Sequence, residues 1–302
     1  MNYYNEIKNI LINNEITKRV KDYSKNKSDL YSYYNVGKLL IEAQGGENRA
    51  KYGDNLIKEY SKKLTSELGK GYSERNLKNM RKFYLFQKGQ AVPAQLTWSH
   101  YCELLSIKDD NKINYYIDVS IQQNLGYREL RKRIKSNEYE RLDDETKNKL
   151  INKDNVEVLD LVKNPIVINN KYNLTDIKEN VLKKIILEDM DDFLKELGNG
   201  FTYVGSEYKI KIGNTYNYVD ILLFNYVYNC FVVTELKVTE LKKEHIGQIQ
   251  VYMNYIDEHV KSIHHDKTIG IIIVRKDNKY IIEYSSDKRI ISRVYELVGG
   301  NT

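Results

Sequence analysis

Tyr218-Val-Asp-Ile-Leu-Leu-Phe224 and Phe231-Val-Val-Thr-Glu-Leu-Lys-Val238 are two apolar, β-branched runs, the composition of strands. Between them, Asn225-Tyr-Val-Tyr-Asn-Cys230 carries asparagines suited to a turn. An antiparallel hairpin centred between Val227 and Tyr228 sets Asp220 directly opposite Glu235, fifteen positions later. Cross-strand partners have Cβ atoms about 4.5–5.5 Å apart. Two carboxylates at that separation repel unless a cation lies between them. Oxygen-only ligands suit a hard ion, Mg²⁺ or Mn²⁺. Strand alternation puts Lys237, two residues beyond Glu235, on the same face. An acid pair that holds a metal, with an ammonium alongside, fits hydrolysis of a phosphodiester.

Alternating acids and lysines are also ordinary on solvent-facing strands, where such pairs contribute little. The setting separates the two readings. Val232, Val233 and Leu236 surround Glu235 with little polar alternation, so Glu235 and Lys237 are expected to be partly desolvated. Charged groups in such places are costly unless paired or bound to metal.

The chain has 302 residues, enough for two domains with substantial cores. Its two cysteines, Cys102 and Cys230, lie far apart and imply neither a disulfide framework nor a zinc site. No apolar stretch approaches about 18 residues and the start carries no charged-then-apolar signal, which predicts a cytoplasmic protein without a membrane span. Charge is unevenly spread. Residues 1–150 hold 28 Lys plus Arg against 20 Asp plus Glu, a balance of +8, whereas residues 151–302 hold 20 against 22, a balance of −2. The basic excess points to polyanion binding by the first half.

Residues 1–142 read as helices, among them Ile7–Tyr23, Leu30–Ala43, Tyr52–Leu68, Glu74–Gln87, Trp98–Leu105 and Lys112–Ile134. Residues 143–172 are charged and Asn-rich and read as a linker that holds a short helix and an extended piece around Pro165. Residues 173–302 read as a helix (Thr175–Leu197), three strands, a helix (Leu241–His259), a buried strand (Thr268–Val274) and a final strand near Tyr280–Tyr284. The class is therefore α+β: an all-helical N-terminal domain followed by an α/β core.

Within the helical half, Ser73 suits the N-cap of Glu74–Gln87, with Leu77, Met80 and Tyr84 as a buried stripe. Arg75, Lys78, Arg81 and Lys82 occupy the rest of that surface. A basic helix after the tight Gly69-Lys-Gly71 turn has the form of a helix-turn-helix recognition element, so these four are candidate nucleic-acid contacts.

The order of elements and the Asp220 and Glu235-Leu236-Lys237 motifs resemble the PD-(D/E)XK nuclease core. The whole chain resembles the bacterial YhcG-type family, which couples such a core to a helical N-terminal domain. The resemblance is carried by Lys51-Tyr-Gly-Asp54, Leu68-Gly-Lys-Gly-Tyr-Ser-Glu-Arg-Asn-Leu77, Trp98-Ser-His-Tyr-Cys-Glu-Leu-Leu105, Phe193-Leu-Lys-Glu-Leu-Gly-Asn-Gly-Phe201 and Gly247-Gln248. It implies a Mg²⁺-dependent, DNA-directed endonuclease, with Mn²⁺ able to substitute, acting in repair, recombination or defence against foreign DNA. Asp220, Glu235 and the Leu236 carbonyl would hold the metal, and Lys237 would orient water or steady charge at phosphorus. Gln248, four residues before Tyr252 on one helix face, matches a supporting motif of the superfamily, and Gly247 would let that helix approach a neighbour closely.

Two positions depart from the family pattern. Val204-Gly-Ser-Glu207 stands where a basic-polar pair is common after Val-Gly, and Lys183 stands where an acid is common ten positions before Phe193. Neither Glu179 nor Glu188 aligns as a replacement, so no helix acid is assigned. The competing class is a DNA-binding or interaction protein with a degenerate nuclease fold. RNA cleavage is a third reading, since the chemistry at phosphorus is shared. Cutting both strands with one site per chain calls for a homodimer; no small-molecule cofactor is implied.

Overall fold

The computed structural model describes residues 3–20, 25–47, 50–88, 93, 95–174 and 177–299. The chain divides into two compact units, Met1–Ser136 and Asn137–Thr302.

The first unit is helical: α1 (Tyr3–Val20), α2 (Lys25–Ala43), α3 (Ala50–Leu68), α4 (Glu74–Gln87), α5 (Trp98–Leu104), α6 (Asp110–Gln122) and α7 (Tyr127–Lys135). Its core gathers Ile7, Leu11, Val36, Leu40, Leu64, Leu77 and Met80. The Ser73 hydroxyl accepts from the Asn76 amide at 3.3 Å, capping α4 as its sequence predicts. The side chain of Gly37 must be absent for α2 to lie on α4, because a Cβ there would stand 2.1 Å from the Met80 carbonyl oxygen. The helix expected over Lys112–Ile134 is two. Asn124 turns left-handed (φ 49°) after α6 and Gly126 caps α7, so the chain reverses between them. Of the Lys51-Tyr-Gly-Asp54 motif, only the side chain of Asp54 is among those described.

The second unit contains α8 (Asp144–Asn152), β1 (Ile166–Asn170), α9 (Glu179–Glu188), α10 (Met190–Leu197), β2 (Phe201–Ile212), β3 (Thr215–Asn225) and β4 (Cys230–Glu240). It continues with α11 (Lys243–His259), β5 (Ile269–Lys276), α12 (Lys279–Glu283) and β6 (Ile290–Gly299). One mixed six-stranded sheet runs β1-β6-β5-β4-β3-β2. Strands β2, β3 and β4 are antiparallel neighbours, whereas β4–β5, β5–β6 and β1–β6 pair in parallel. The parallel β4–β5 pair needs a crossover, and α11 supplies it.

Alternation along β5 sorts the two cores. Ile271 and Ile273 join Leu182, Ile186, Phe193 and Leu236 on the face covered by α9 and α10. Ile272 and Val274 join Val233, Ile249, Tyr252, Met253 and Ile256 under α11. All four β5 side chains are fully buried, which makes the unalternating run of the sequence legible as a strand covered on both sides. Gly270 is required at the close contact with α11, since a Cβ there would meet the Met253 sulfur at 2.7 Å.

Three expectations need correction. Residues 143–172 are no linker but part of the second unit: the expected short helix is α8, and the extended piece after Pro165 is β1, which pairs with β6. Buried Arg293 anchors this region by donating to the Val162 carbonyl at 2.8 Å and to Asp143 at 3.0 Å. The final strand lies at β6 rather than near Tyr280–Tyr284, which forms the short α12 instead. The helix expected from Thr175 begins at Glu179 and is interrupted at Asp189 (φ −134°, ψ 47°); Thr175 itself lies outside the described residues.

Candidate active site

The β3–β4 ladder runs from Asn225 opposite Cys230 to Ile221 opposite Thr234, the register expected from the sequence. It stops there. Strand β3 continues beside β2 to Thr215, and β4 continues beside β5 as far as Lys237. The sheet therefore forks between β3 and β4 at the next positions on each strand, Asp220 and Glu235.

Both carboxylates bridge this fork by accepting from a backbone amide of the facing strand. The Leu236 amide donates to Asp220 Oδ2 at 2.9 Å, and the Asp220 amide donates to Glu235 Oε1 at 3.3 Å. Each acid thus gives a main-chain N–H of the facing strand its acceptor. Leu236 is fully buried against the α9 face, which fixes the backbone between the two charged neighbours.

Two ammonium groups enter from the sides. Lys237 Nζ donates to Glu235 Oε2 at 3.3 Å and lies 3.9 Å from Glu179 on the first turn of α9. Lys183, one turn further along α9, donates to Asp220 Oδ1 at 2.7 Å and also to Glu207 on β2. Glu207 lies between Ser206, paired with Ile221, and Tyr208, paired with Val219, so it stands opposite Asp220. The two departures from the family pattern, Lys183 and Glu207, are therefore in contact with each other, and Lys183 also touches the first acid.

Electrostatics follow from burial. Glu235 is 2 % exposed. Its carboxyl is pushed up to about 7 by that burial and by the charge of Asp220, only partly offset by Lys237. For Lys237 and Lys183 burial works against the charged form, but the surrounding carboxylates outweigh it and both ammonium groups are held above the usual lysine range. Asp220, Glu235, Glu207 and Glu179 carry four formal negative charges when ionised against two positive ones on Lys183 and Lys237, leaving −2. One divalent cation balances that.

The donor set fits such an ion: carboxylate and main-chain oxygens with room for water are what a hard cation takes. Among the described residues no three His, Cys, Asp or Glu side chains form a complete metal cage. An ion would draw on Asp220, Glu235, the Leu236 carbonyl and solvent.

Gln248, half-buried on α11, donates from Nε2 to the Tyr252 hydroxyl at 2.9 Å. Tyr252 is itself buried in the core beneath that helix. Gly247 does not serve a close approach, since a Cβ there would meet nothing within 4 Å. Sequence reasoning passed over His245, one turn before Ile249. Its Nδ1 accepts from the Lys242 amide at 3.2 Å, and burial followed by the charges of Lys237 and Lys242 keeps its imidazole below the usual range, hence neutral. Only its nearness to Lys237 marks it, and no spacing in the chain reveals that.

In the helical unit, the four candidate basic residues of α4 fall into two groups. Arg81 is tied to Asp54 at 3.0 Å and to Gln44 at 3.3 Å, and Lys82 donates to the Leu105 carbonyl at 3.3 Å. Lys78 lies 3.9 Å from Asp54. Arg75 is exposed and lines a cavity of about 460 Å³ with Ser73, Asn79, Cys102, Tyr127 and Arg131. Arg131 lies over the Tyr127 ring and pairs with Glu103 at 2.6 Å. Trp98 and His100 are packing residues: Trp98 donates to Asn76 at 2.9 Å, and His100 is buried against the Leu125 carbonyl. No helix among the described residues is long and apolar enough to cross a membrane.

Residues 159–297 match the YhcG PDDEXK nuclease domain, and residues 9–141 match the DUF1016 N-terminal domain. A protein of Escherichia coli (strain K12) named "Putative nuclease YhcG" is 26 % identical over 289 residues, spanning 80 % of this chain and 75 % of that one. Among solved structures, a repair endonuclease from Pyrococcus abyssi is 16 % identical over 42 % of this chain, with a TM-score of 0.28. An EndoMS–dsDNA complex is 18 % identical over 44 %, with a TM-score of 0.29. The chain spans about half the length of each, 49 % and 50 %. The two matches together account for most of the chain, a DUF1016 N-terminal domain over residues 9–141 followed by a YhcG PDDEXK nuclease domain over residues 159–297.

Proposed function

We propose that the chain is a Mg²⁺-dependent endonuclease that hydrolyses phosphodiester bonds of DNA. The single observation that carries this reading is the fork at which Asp220 and Glu235 accept from backbone amides of each other's strand, in a cluster with Glu207, Glu179, Lys183 and Lys237 whose formal charge is −2 when all are ionised. Asp220, Glu235 and the Leu236 carbonyl are the proposed holders of the ion, with Mn²⁺ able to replace Mg²⁺. When bound, the ion supplies Lewis acidity and a water of lowered pKa. Lys237 is held by Glu235 and Glu179 on either side. It orients the attacking water and offsets charge gathering on the phosphate oxygens. Gln248 supports the β4 backbone from α11 and is kept in place by the Tyr252 hydroxyl.

The helical unit is the proposed DNA-binding module. Arg75 with Lys78 provides phosphate contacts, and Arg81 and Lys82 hold α4 in place beside them. A homodimer working in the cytoplasm would let one site per chain cut both strands.

A second reading, a binding protein with a degenerate nuclease fold, is favoured by one observation: the Lys183 ammonium already sits on Asp220. Incubating the full chain with a panel of linear, flapped and branched DNAs, with Mg²⁺ or with EDTA, separates the two. Cleavage that requires Mg²⁺ supports the nuclease; binding without cleavage under any divalent ion supports the alternative.

A further inference from the structure

We propose that Lys183 is a resident counter-ion of the acid pair, which a divalent ion must displace from Asp220, and that Glu207 is the acceptor that receives the displaced ammonium. This rests on the reading that Asp220 and Glu235 hold the ion.

The geometry is specific. Both oxygens of Asp220 are engaged, Oδ1 by Lys183 at 2.7 Å and Oδ2 by the Leu236 amide at 2.9 Å. A divalent ion about 2.1 Å from a carboxylate oxygen could not share Asp220 with an ammonium already on it without strong like-charge repulsion. The Asp220 and Lys183 side chains are only 16 % and 14 % exposed, so water screens that repulsion poorly. Lys183 needs somewhere to go, and Glu207 already touches it. The Glu207 side chain is 56 % exposed, so an ammonium moved wholly onto it regains solvent. The backbone of Glu207 is left-handed (φ 48°), a conformation that glutamate seldom adopts. Glu207 falls between the Ser206–Ile221 and Tyr208–Val219 pairs, level with Asp220. Lys183 is thus poised between two carboxylates, one buried on the proposed metal side and one wet.

The test is a titration of Mn²⁺ or Mg²⁺ into four proteins by isothermal calorimetry: wild type, Lys183→Met, Glu207→Gln and the double variant. Asp220→Asn identifies which part of the isotherm belongs to this site. Lys183→Met is expected to tighten metal binding on the order of tenfold, the size of one opposite-charge contact. Glu207→Gln leaves the ammonium wholly to Asp220 and is expected to weaken binding severalfold. In the Lys183→Met background the same Glu207→Gln change is expected to have little effect, because there is no ammonium left to receive.

Metal affinity unchanged or lowered in Lys183→Met overturns the inference. So does a Glu207→Gln effect of equal size with and without the lysine, since Glu207 would then act on the ion directly. If none of the four proteins shows Asp220-dependent binding, the acid-pair reading fails as well. Circular dichroism melts check folding, and Lys183→Gln carries the same test if the methionine variant does not fold.

Discussion

Asp220 and Glu235 are joined through each other's backbone: the Asp220 amide donates to Glu235, and the amide after Glu235, that of Leu236, donates to Asp220. Paired strands normally spend those amides on carbonyls. Here the strands diverge and the carboxylates take over, so two like charges are held together by structure rather than kept apart by repulsion. A site that holds acids close in a buried fork is pre-organised for a cation before any arrives.

This arrangement makes stability depend on pH in a defined direction. The Glu235 carboxyl is raised from its ordinary value of 4.5 to about 7 in the folded chain, first by burial and then by Asp220. Between those values the unfolded chain releases a proton that the folded chain keeps, so folding stability falls as pH rises from about 4.5 to about 7, by up to about 3 kcal/mol. Glu235→Gln is expected to remove this slope, leaving the variant relatively more stable at pH 8 than at pH 5. Thermal melts at the two pH values measure it, and parallel wild-type and variant profiles would refute the assignment. Added Mg²⁺ is expected to stabilise the wild type more at pH 8, because binding requires the ionised carboxylate.

Arg75 and Arg81 of α4 are expected to behave differently. Arg75→Ala removes an exposed guanidinium and should weaken DNA binding across sequences, lowering the salt slope by about one. Arg81→Ala breaks contacts to Asp54 and Gln44 and should instead cost about 1 kcal/mol of stability. Fluorescence anisotropy over a salt series, beside thermal melts, separates these outcomes. An unchanged salt slope in Arg75→Ala would exclude this helix face from phosphate contact.

Gln248→Ala removes the donor to the Tyr252 hydroxyl without opening the core, since Ile249, Met253 and Ile256 carry the packing of α11. The expected outcome is a loss of cleavage rate of about tenfold or more with a melting temperature close to wild type. An unchanged rate would make Gln248 a bystander.

Much of this was readable in one dimension because its cause is local. The fifteen-residue spacing fixes the β3–β4 register wherever a turn centres between Val227 and Tyr228, and β5 announces itself by a run without alternation. What escaped depends on contacts distant in the chain. β1 reads only as an extended piece of a charged stretch, and its place in the sheet comes from β6. β6 contains Arg293 and Glu296, residues that look like a loop until Arg293 is seen buried and bonded to Val162. The contact of Lys183 with Glu207 joins residues 24 positions apart on a helix and a strand. Each was visible as an oddity, and only the fold makes them partners.

The central claim is that the fork between β3 and β4 is a metal-dependent catalytic site. Its most direct test is the rate of DNA cleavage by wild type, Asp220→Asn and Lys237→Ala across a Mg²⁺ series, with circular dichroism showing that all three are folded. Mg²⁺-dependent cleavage by the wild type, falling by at least about a hundredfold in both variants, is the predicted result. Cleavage by folded Asp220→Asn at the wild-type rate, or cleavage that persists in EDTA, would contradict it.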